Sequence, residues 1–137
     1  MVTAAVAIAV WGAPAAGASS GSPATAASDD FEVFTTDGCG SVGFVDYGEG
    51  APGGGPNDDY AEIWNYCSAD PGGVMAYAWR DGTYLGSKYL GDNYKTLWDP
   101  FGNLPDWTYV GLKVCMVDGP SGANPTACDS ASVDISE

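Results

Sequence analysis

The sequence contains no histidine, and it has only 4 basic residues against 18 acidic ones. Without histidine the commonest general base is absent, Ser/His and Cys/His catalytic arrangements are excluded, and most zinc sites are excluded as well. The formal net charge of −14 repels phosphate backbones. We therefore predict that the protein does not bind nucleic acid.

Long helix-forming stretches are also missing. The 137 residues include 20 glycines and 9 prolines, which interrupt helices and favour short strands joined by turns. Hydrophobic residues still make up 45% of the chain, with 5 Trp, 8 Tyr and 4 Phe. This is enough apolar material for the core of one domain.

The N-terminal segment has the features of an export signal. Residues 2–10 (VTAAVAIAV) form an apolar run of signal-peptide length, and residues 12–28 are rich in Ala, Gly, Ser and Pro. Because no Lys or Arg precedes the run, we expect the coding start to lie upstream. The run is shorter than the roughly 20 residues that span a membrane. We predict a signal peptide and flexible segment in 1–28, and a single secreted β domain without a membrane span in 29–137.

Four cysteines follow this segment, namely Cys39, Cys67, Cys115 and Cys128. An even number in a short exported chain predicts two disulfides, for which three pairings are open. We favour Cys39–Cys67 and Cys115–Cys128, because each pair encloses one local strand–loop–strand unit. No C-x2-C spacing occurs, which argues against a zinc site.

Short segments of alternating hydrophobicity, separated by turn signals, run from residue 29 onward. The predicted strands are 41–47, 60–67, 74–80, 83–89, 94–98, 107–117 and 127–135, with an additional edge strand at 31–36. Seven or eight strands at this spacing predict an all-β fold. We expect a two-layer antiparallel β-sandwich of Ig-like or Greek-key type, with a barrel as the alternative.

Large aromatic side chains recur at even spacing in two of these strands. Tyr60, Trp64 and Tyr66 share one face of their strand, and Tyr77 and Trp79 share one face of the next. If the two strands pair, the rings form one continuous patch on which sugar rings can stack. The alternative is that this face is the core, because aromatic side chains dominate small cores. The opposite faces are apolar too, so the alternation does not decide between them.

Acidic residues surround a Gly- and Pro-rich loop at 48–59, and four of them are candidate metal ligands: Asp46, Glu49, Asp58 and Asp59. Carboxylates and loop carbonyls are the ligands that Ca²⁺ prefers, and extracellular Ca²⁺ fills weak sites. The spacing does not match the EF-hand pattern. The two interpretations are a Ca²⁺ site and a solvated acidic loop, and we expect no other cofactor.

Four segments of the chain carry a resemblance to known proteins: GCGSVGFVDYGEGAPGGGPNDDYAEIWNYCS, AYAWRDGTYLGSKY, WDPFGN and VGLKVCMVDG. Together they resemble a group of small, uncharacterised secreted proteins of actinobacteria, over roughly residues 37–128. The resemblance implies export and a disulfide-bonded β domain. It implies no activity and identifies no site residue.

No pair of acids stands out as catalytic, and the mature chain is short for a sandwich with a catalytic cleft. We therefore expect a secreted, non-catalytic module, extracellular or associated with the cell wall, and monomeric because of its charge. One alternative is binding of a carbohydrate or cell-wall polymer through the aromatic strand face. A second is inhibition of an extracellular enzyme by the loop at 118–125. The expected partner is thus a polysaccharide or an extracellular protein.

Overall fold

The structure is a computed structural model that describes residues 29–48, 58–67, 72–92, 94–105 and 107–135. The expected signal peptide at 1–28 lies outside these ranges. The strands are β1 (Phe31–Phe34), β2 (Gly40–Gly48), β3 (Asp58–Asn65), β4 (Gly73–Arg80), β5 (Thr83–Leu90), β6 (Lys95–Trp98), β7 (Thr108–Val117) and β8 (Thr126–Ile135). Within the described ranges, no helix is long and apolar enough to cross a membrane.

The eight strands form two antiparallel sheets of four. The first sheet has the order β1-β2-β3-β6, and the second has the order β5-β4-β7-β8. The two sheets are separate and do not close into one barrel. The predicted all-β sandwich is therefore confirmed, and the barrel alternative is wrong.

The tightest connection is the hairpin between β4 and β5. Asp81 and Gly82 both have positive φ, 48° and 80°, as a two-residue hairpin turn of type I′ requires. Register follows directly from this turn, with Arg80 opposite Thr83. The Asp-Gly signal in the sequence therefore identifies this hairpin correctly.

The core between the sheets is built mostly from aliphatic side chains. On the first sheet Ala61 and Ile63 are fully buried, and on the second Val74, Ala76 and Ala78 are fully buried. Phe44 of β2, which is opposite Ala61, contacts Phe101 edge to face, with ring centroids 5.4 Å apart. The small faces of β3 and β4 thus point inward. The interpretation of the aromatic faces as core is wrong, because the small faces form the core cluster, whereas Trp64, Tyr77 and Trp79 on the opposite faces are only partly buried.

Two disulfides reinforce the sandwich at neighbouring strands. Cys39–Cys67 ties the start of β2 to the end of β3, with Cα atoms 5.0 Å apart. Cys115–Cys128 ties β7 to β8, with Cα atoms 4.1 Å apart. This is the pairing favoured from the sequence, and no cysteine is free. Disulfide bonds of this kind are typical of extracellular proteins.

A second, smaller apolar cluster lies on the outer face of the second sheet, where Met75, Cys115 and Val117 are buried. The turn at 118–125 covers it. A Cβ placed on Gly122 of this turn would lie 3.3 Å from the Met75 methyl group. The turn therefore packs on the sheet.

Candidate functional site

The aromatic residues of β3 and β4 lie on different sheets, because the chain crosses to the other layer after β3 and β6 pairs with β3 instead. The prediction of one continuous patch is therefore wrong. Each sheet carries its own aromatic group on its outer face. We call them the first-sheet aromatic face (Phe34, Trp64, Tyr66, Tyr94) and the second-sheet aromatic face (Tyr77, Trp79, Tyr84, Tyr109).

The rings of the first-sheet aromatic face touch one another in a continuous group. Trp64 and Tyr66 are nearly parallel, with centroids 6.1 Å apart and an interplanar angle of 8°. Phe34 lies 6.4 Å beyond Tyr66, and Tyr94 meets Trp64 edge to face at 5.1 Å. Phe34, Tyr66 and Tyr94 are 48%, 41% and 60% exposed. A contiguous exposed aromatic surface on a highly charged domain is typical of an interaction site.

A groove of about 430 Å³ runs beside these rings. Trp64 and Tyr66 line one part of it, and Gly43 of β2 contributes no side chain to its wall. A Cβ built on Gly43 would meet nothing closer than the Phe31 carbonyl oxygen at 3.6 Å. The groove thus exists partly because residue 43 is glycine, and a large side chain there would fill it.

Three acidic residues line the same groove, Asp30, Glu32 and Glu62. The Ser41 hydroxyl donates a hydrogen bond of 2.6 Å to Glu32 Oε1, and it lies 3.4 Å from the Tyr66 hydroxyl. This serine therefore links the Glu32 carboxylate to the Tyr66 hydroxyl.

Lys95 is the basic residue of this face. Its ammonium forms a 2.8 Å ion pair with Glu62 and lies 4.4 Å from the centroid of the Trp64 ring. The other Lys and Arg residues of the chain, Arg80, Lys88 and Lys113, belong to strands of the second sheet. The first-sheet groove is therefore acidic and aromatic.

Tyr60 does not join the exposed rings, although the sequence places it on the same face as Trp64. It is only 6% exposed. Burial, followed by the charge of Glu62, raises the pKa of its phenol. Phe34 and Tyr94, by contrast, belong to this face but were missed in the sequence. Tyr94 precedes β6, which pairs with β3, whereas Phe34 of β1 reaches Tyr66 across β2.

The second-sheet aromatic face borders a smaller groove of about 340 Å³. The Trp79 ring lies between Tyr77 and Tyr84, at centroid distances of 6.4 and 5.4 Å. The Tyr109 and Ser132 hydroxyls are hydrogen-bonded to each other. The Lys113 ammonium lies 5.6 Å from the Tyr77 ring centroid.

The candidate Ca²⁺ ligands are only partly described. Asp46 and Asp59 are buried, and Glu49 and the side chain of Asp58 lie outside the described residues. Asp59 Oδ2 accepts a 2.7 Å hydrogen bond from the Leu104 amide, which attaches the β6–β7 connection to β3. In the described part of the chain no three His, Cys, Asp or Glu residues come together at a metal-binding distance. The Ca²⁺ site stays a prediction.

Asp46 has a structural partner at the start of the domain. Its Oδ2 accepts a hydrogen bond from the Asp29 amide at 3.4 Å, and its own amide donates to Asp30 Oδ1 at 2.7 Å. These contacts hold residues 29 and 30 against the end of β2. Asp30 in turn lines the first-sheet groove, so this attachment contributes to the shape of the groove.

No family model matches the sequence, and neither the curated proteins nor the solved structures contain a match to it. The resemblance to small secreted actinobacterial proteins therefore stays a prediction.

Proposed function

We propose that the protein is a secreted, non-catalytic module, extracellular or associated with the cell wall, that binds a polysaccharide through the first-sheet aromatic face. The observation that carries this proposal is the group of touching, exposed rings beside a groove lined with carboxylates. The apolar CH faces of a sugar pack against aromatic rings, while its hydroxyls donate hydrogen bonds to carboxylate oxygens. The groove supplies both kinds of contact side by side.

The two disulfides support an extracellular location, because such bonds persist in oxidising compartments. The absence of histidine supports a non-catalytic role. The groove also lies on the outer face of a sheet, whereas catalytic sites generally exclude water from a deeper cleft.

The test is a binding assay on insoluble polysaccharides with Tyr66→Ala as the variant. Tyr66 contacts three of the rings at centroid distances of 5.8 to 6.4 Å, so its loss disrupts the centre of the face. We expect binding to weaken by about tenfold or more, equivalent to about 1.4 kcal/mol. Tyr84→Ala is the matched control, because Tyr84 is 52% exposed on the other sheet. Equal losses in both variants would contradict the assignment to the first sheet.

A steric test uses the two glycines that line the grooves. Gly43→Leu places a side chain in the first-sheet groove, where a Cβ has ordinary contacts beginning at 3.6 Å. Gly111→Leu does the same in the second-sheet groove, where a Cβ would lie 3.6 Å from Trp79 Cβ. We expect Gly43→Leu to abolish binding and Gly111→Leu to preserve it. The reverse result would assign the binding site to the second-sheet groove.

A further inference from the structure

We infer that the polysaccharide bound in the first-sheet groove carries free amino groups, as a chain of β-1,4-linked glucosamine does. This inference rests on the proposed function and names the ligand class of the same site. It follows from the charge of the groove and from the way in which the protein's own ammonium group is bound there.

Acidic side chains are unevenly distributed between the two grooves. Three carboxylates line it, from Asp30, Glu32 and Glu62, and Lys95 is paired with only one of them. The second-sheet groove belongs to the same acidic protein, yet its described lining contains Lys113 and no Asp or Glu. Carboxylates are therefore concentrated in one groove, and a cationic ligand complements that groove.

Lys95 shows how this face binds an ammonium group. Its nitrogen lies 2.8 Å from Glu62 Oε1 and 4.4 Å from the Trp64 ring centroid, so one cation contacts a carboxylate and an aromatic face together. Aromatic rings attract cations through the negative charge of their faces. The ion pair and the ring contact reinforce each other at this position.

Glu32 lines the same groove as Tyr66. The Ser41 hydroxyl is 2.6 Å from Glu32 Oε1 and 3.4 Å from the Tyr66 hydroxyl, so the serine links the carboxylate to the hydroxyl edge of Tyr66. All four Lys and Arg residues of the sequence are described, and the three besides Lys95 belong to the second sheet. The Glu32 carboxylate therefore has no Lys or Arg partner, and an amino group of a bound sugar can supply the positive charge there.

The test compares three hexasaccharides that share the β-1,4 linkage and differ at carbon 2: glucosamine, N-acetylglucosamine and glucose oligomers. Titration calorimetry is performed above the ordinary Glu pKa of about 4.3 and below the pKa of the sugar amine. Exposed ion pairs are individually weak, so we expect roughly a tenfold preference for the glucosamine oligomer from several such pairs. The preference should fall as salt is raised from about 0.05 to about 0.5 M.

The outcomes separate this inference from the proposed function. Binding of the neutral oligomers with equal or higher affinity would overturn the inference and leave the proposed function supported. Absence of binding by all three oligomers would overturn the inference, and the proposed function would then be decided by the assay on insoluble polysaccharides. A preference for the glucosamine oligomer that disappears when the amine is deprotonated would support both.

Two variants of equal charge change distinguish the groove from non-specific attraction to an acidic protein. Glu32→Gln keeps an acceptor for the Ser41 hydroxyl but removes the groove charge. Asp134→Asn removes one charge from an exposed position on β8 of the second sheet. We expect Glu32→Gln to weaken binding of the glucosamine oligomer about two- to fivefold, with Asp134→Asn unchanged. Equal losses in both variants would show general charge attraction and overturn the inference.

Discussion

Replacing Ile63 with alanine tests whether the aliphatic face of β3 is the face buried between the sheets. Ile63 is fully buried, and it is opposite Val42 on one side and Thr96 on the other. The substitution removes three carbon atoms from the core between the sheets. At about 0.8 kcal/mol per buried methylene, the lost transfer free energy is about 2.4 kcal/mol.

A cavity raises this cost, because the disulfide-bonded strands around Ile63 limit how far the site can collapse. Large-to-small core substitutions lose free energy to the cavity as well as to the lost transfer of apolar atoms. We therefore expect the free energy of unfolding to fall by about 3 to 4 kcal/mol. Tyr94→Ala is the comparison on the outer face. Tyr94 is 60% exposed and meets the Trp64 and Tyr66 rings edge to face, so we expect a loss of about 1 kcal/mol.

The assay is equilibrium unfolding in urea, followed by tryptophan fluorescence with both disulfides intact. Similar m-values in the variants would show that the change lies in stability and not in the extent of unfolding. The reasoning would be refuted if Tyr94→Ala cost as much as Ile63→Ala. That result would mean that the aromatic face of β3, and not the aliphatic face, is buried.

Three further predictions concern the disulfides, a backbone constraint and a buried phenol. Cys115→Ser should lower the free energy of unfolding by about 2 to 5 kcal/mol in urea unfolding, and an unchanged midpoint would contradict a stabilising bridge. Gly72 has φ 111°, and a Cβ there would lie 2.3 Å from the Val117 carbonyl oxygen. Gly72→Ala should therefore cost at least about 2 kcal/mol, and clearly more than Gly38→Ala, since Gly38 has positive φ but open space around it. Burial raises the pKa of Tyr60 above its ordinary value of 10.0. The neutral phenol therefore contributes to the free energy of unfolding at pH values below 10.0, and this contribution is lost as the pH rises through the folded-state pKa. Tyr60→Phe should lose less stability than the native protein between neutral and strongly alkaline pH, and identical pH profiles would contradict this.

The strand segments could be predicted because the period of hydrophobicity and the turn residues are local signals. The alternation over 107–117 identifies β7, which the structure has at Thr108–Val117. The Asp-Gly pair identifies the β4–β5 hairpin, because residues with positive φ are required there. The cysteine pairing could also be predicted from the sequence, because each pair encloses adjacent strands.

The grouping of the aromatic residues could be predicted only in part. Trp64 and Tyr66 are neighbours, as the alternation predicted, but Tyr77 and Trp79 lie on the other sheet. Phe34 and Tyr94 were missed because they are distant in sequence from β3 and reach it only through strand order. Tyr60 follows the same alternation as Trp64, yet its surroundings bury it.

The sequence by itself therefore predicted an all-β chain, its strands, the favoured cysteine pairing and a net charge of −14, because these depend on composition and on contacts near in sequence. Tertiary structure alone decided which face of each strand is buried and which aromatic residues meet. Both faces of β3 are apolar enough to be buried, so local alternation does not distinguish them. The choice depends on how closely the two sheets approach, and alanines such as Ala61, Ala76 and Ala78 let them pack with the large rings outside.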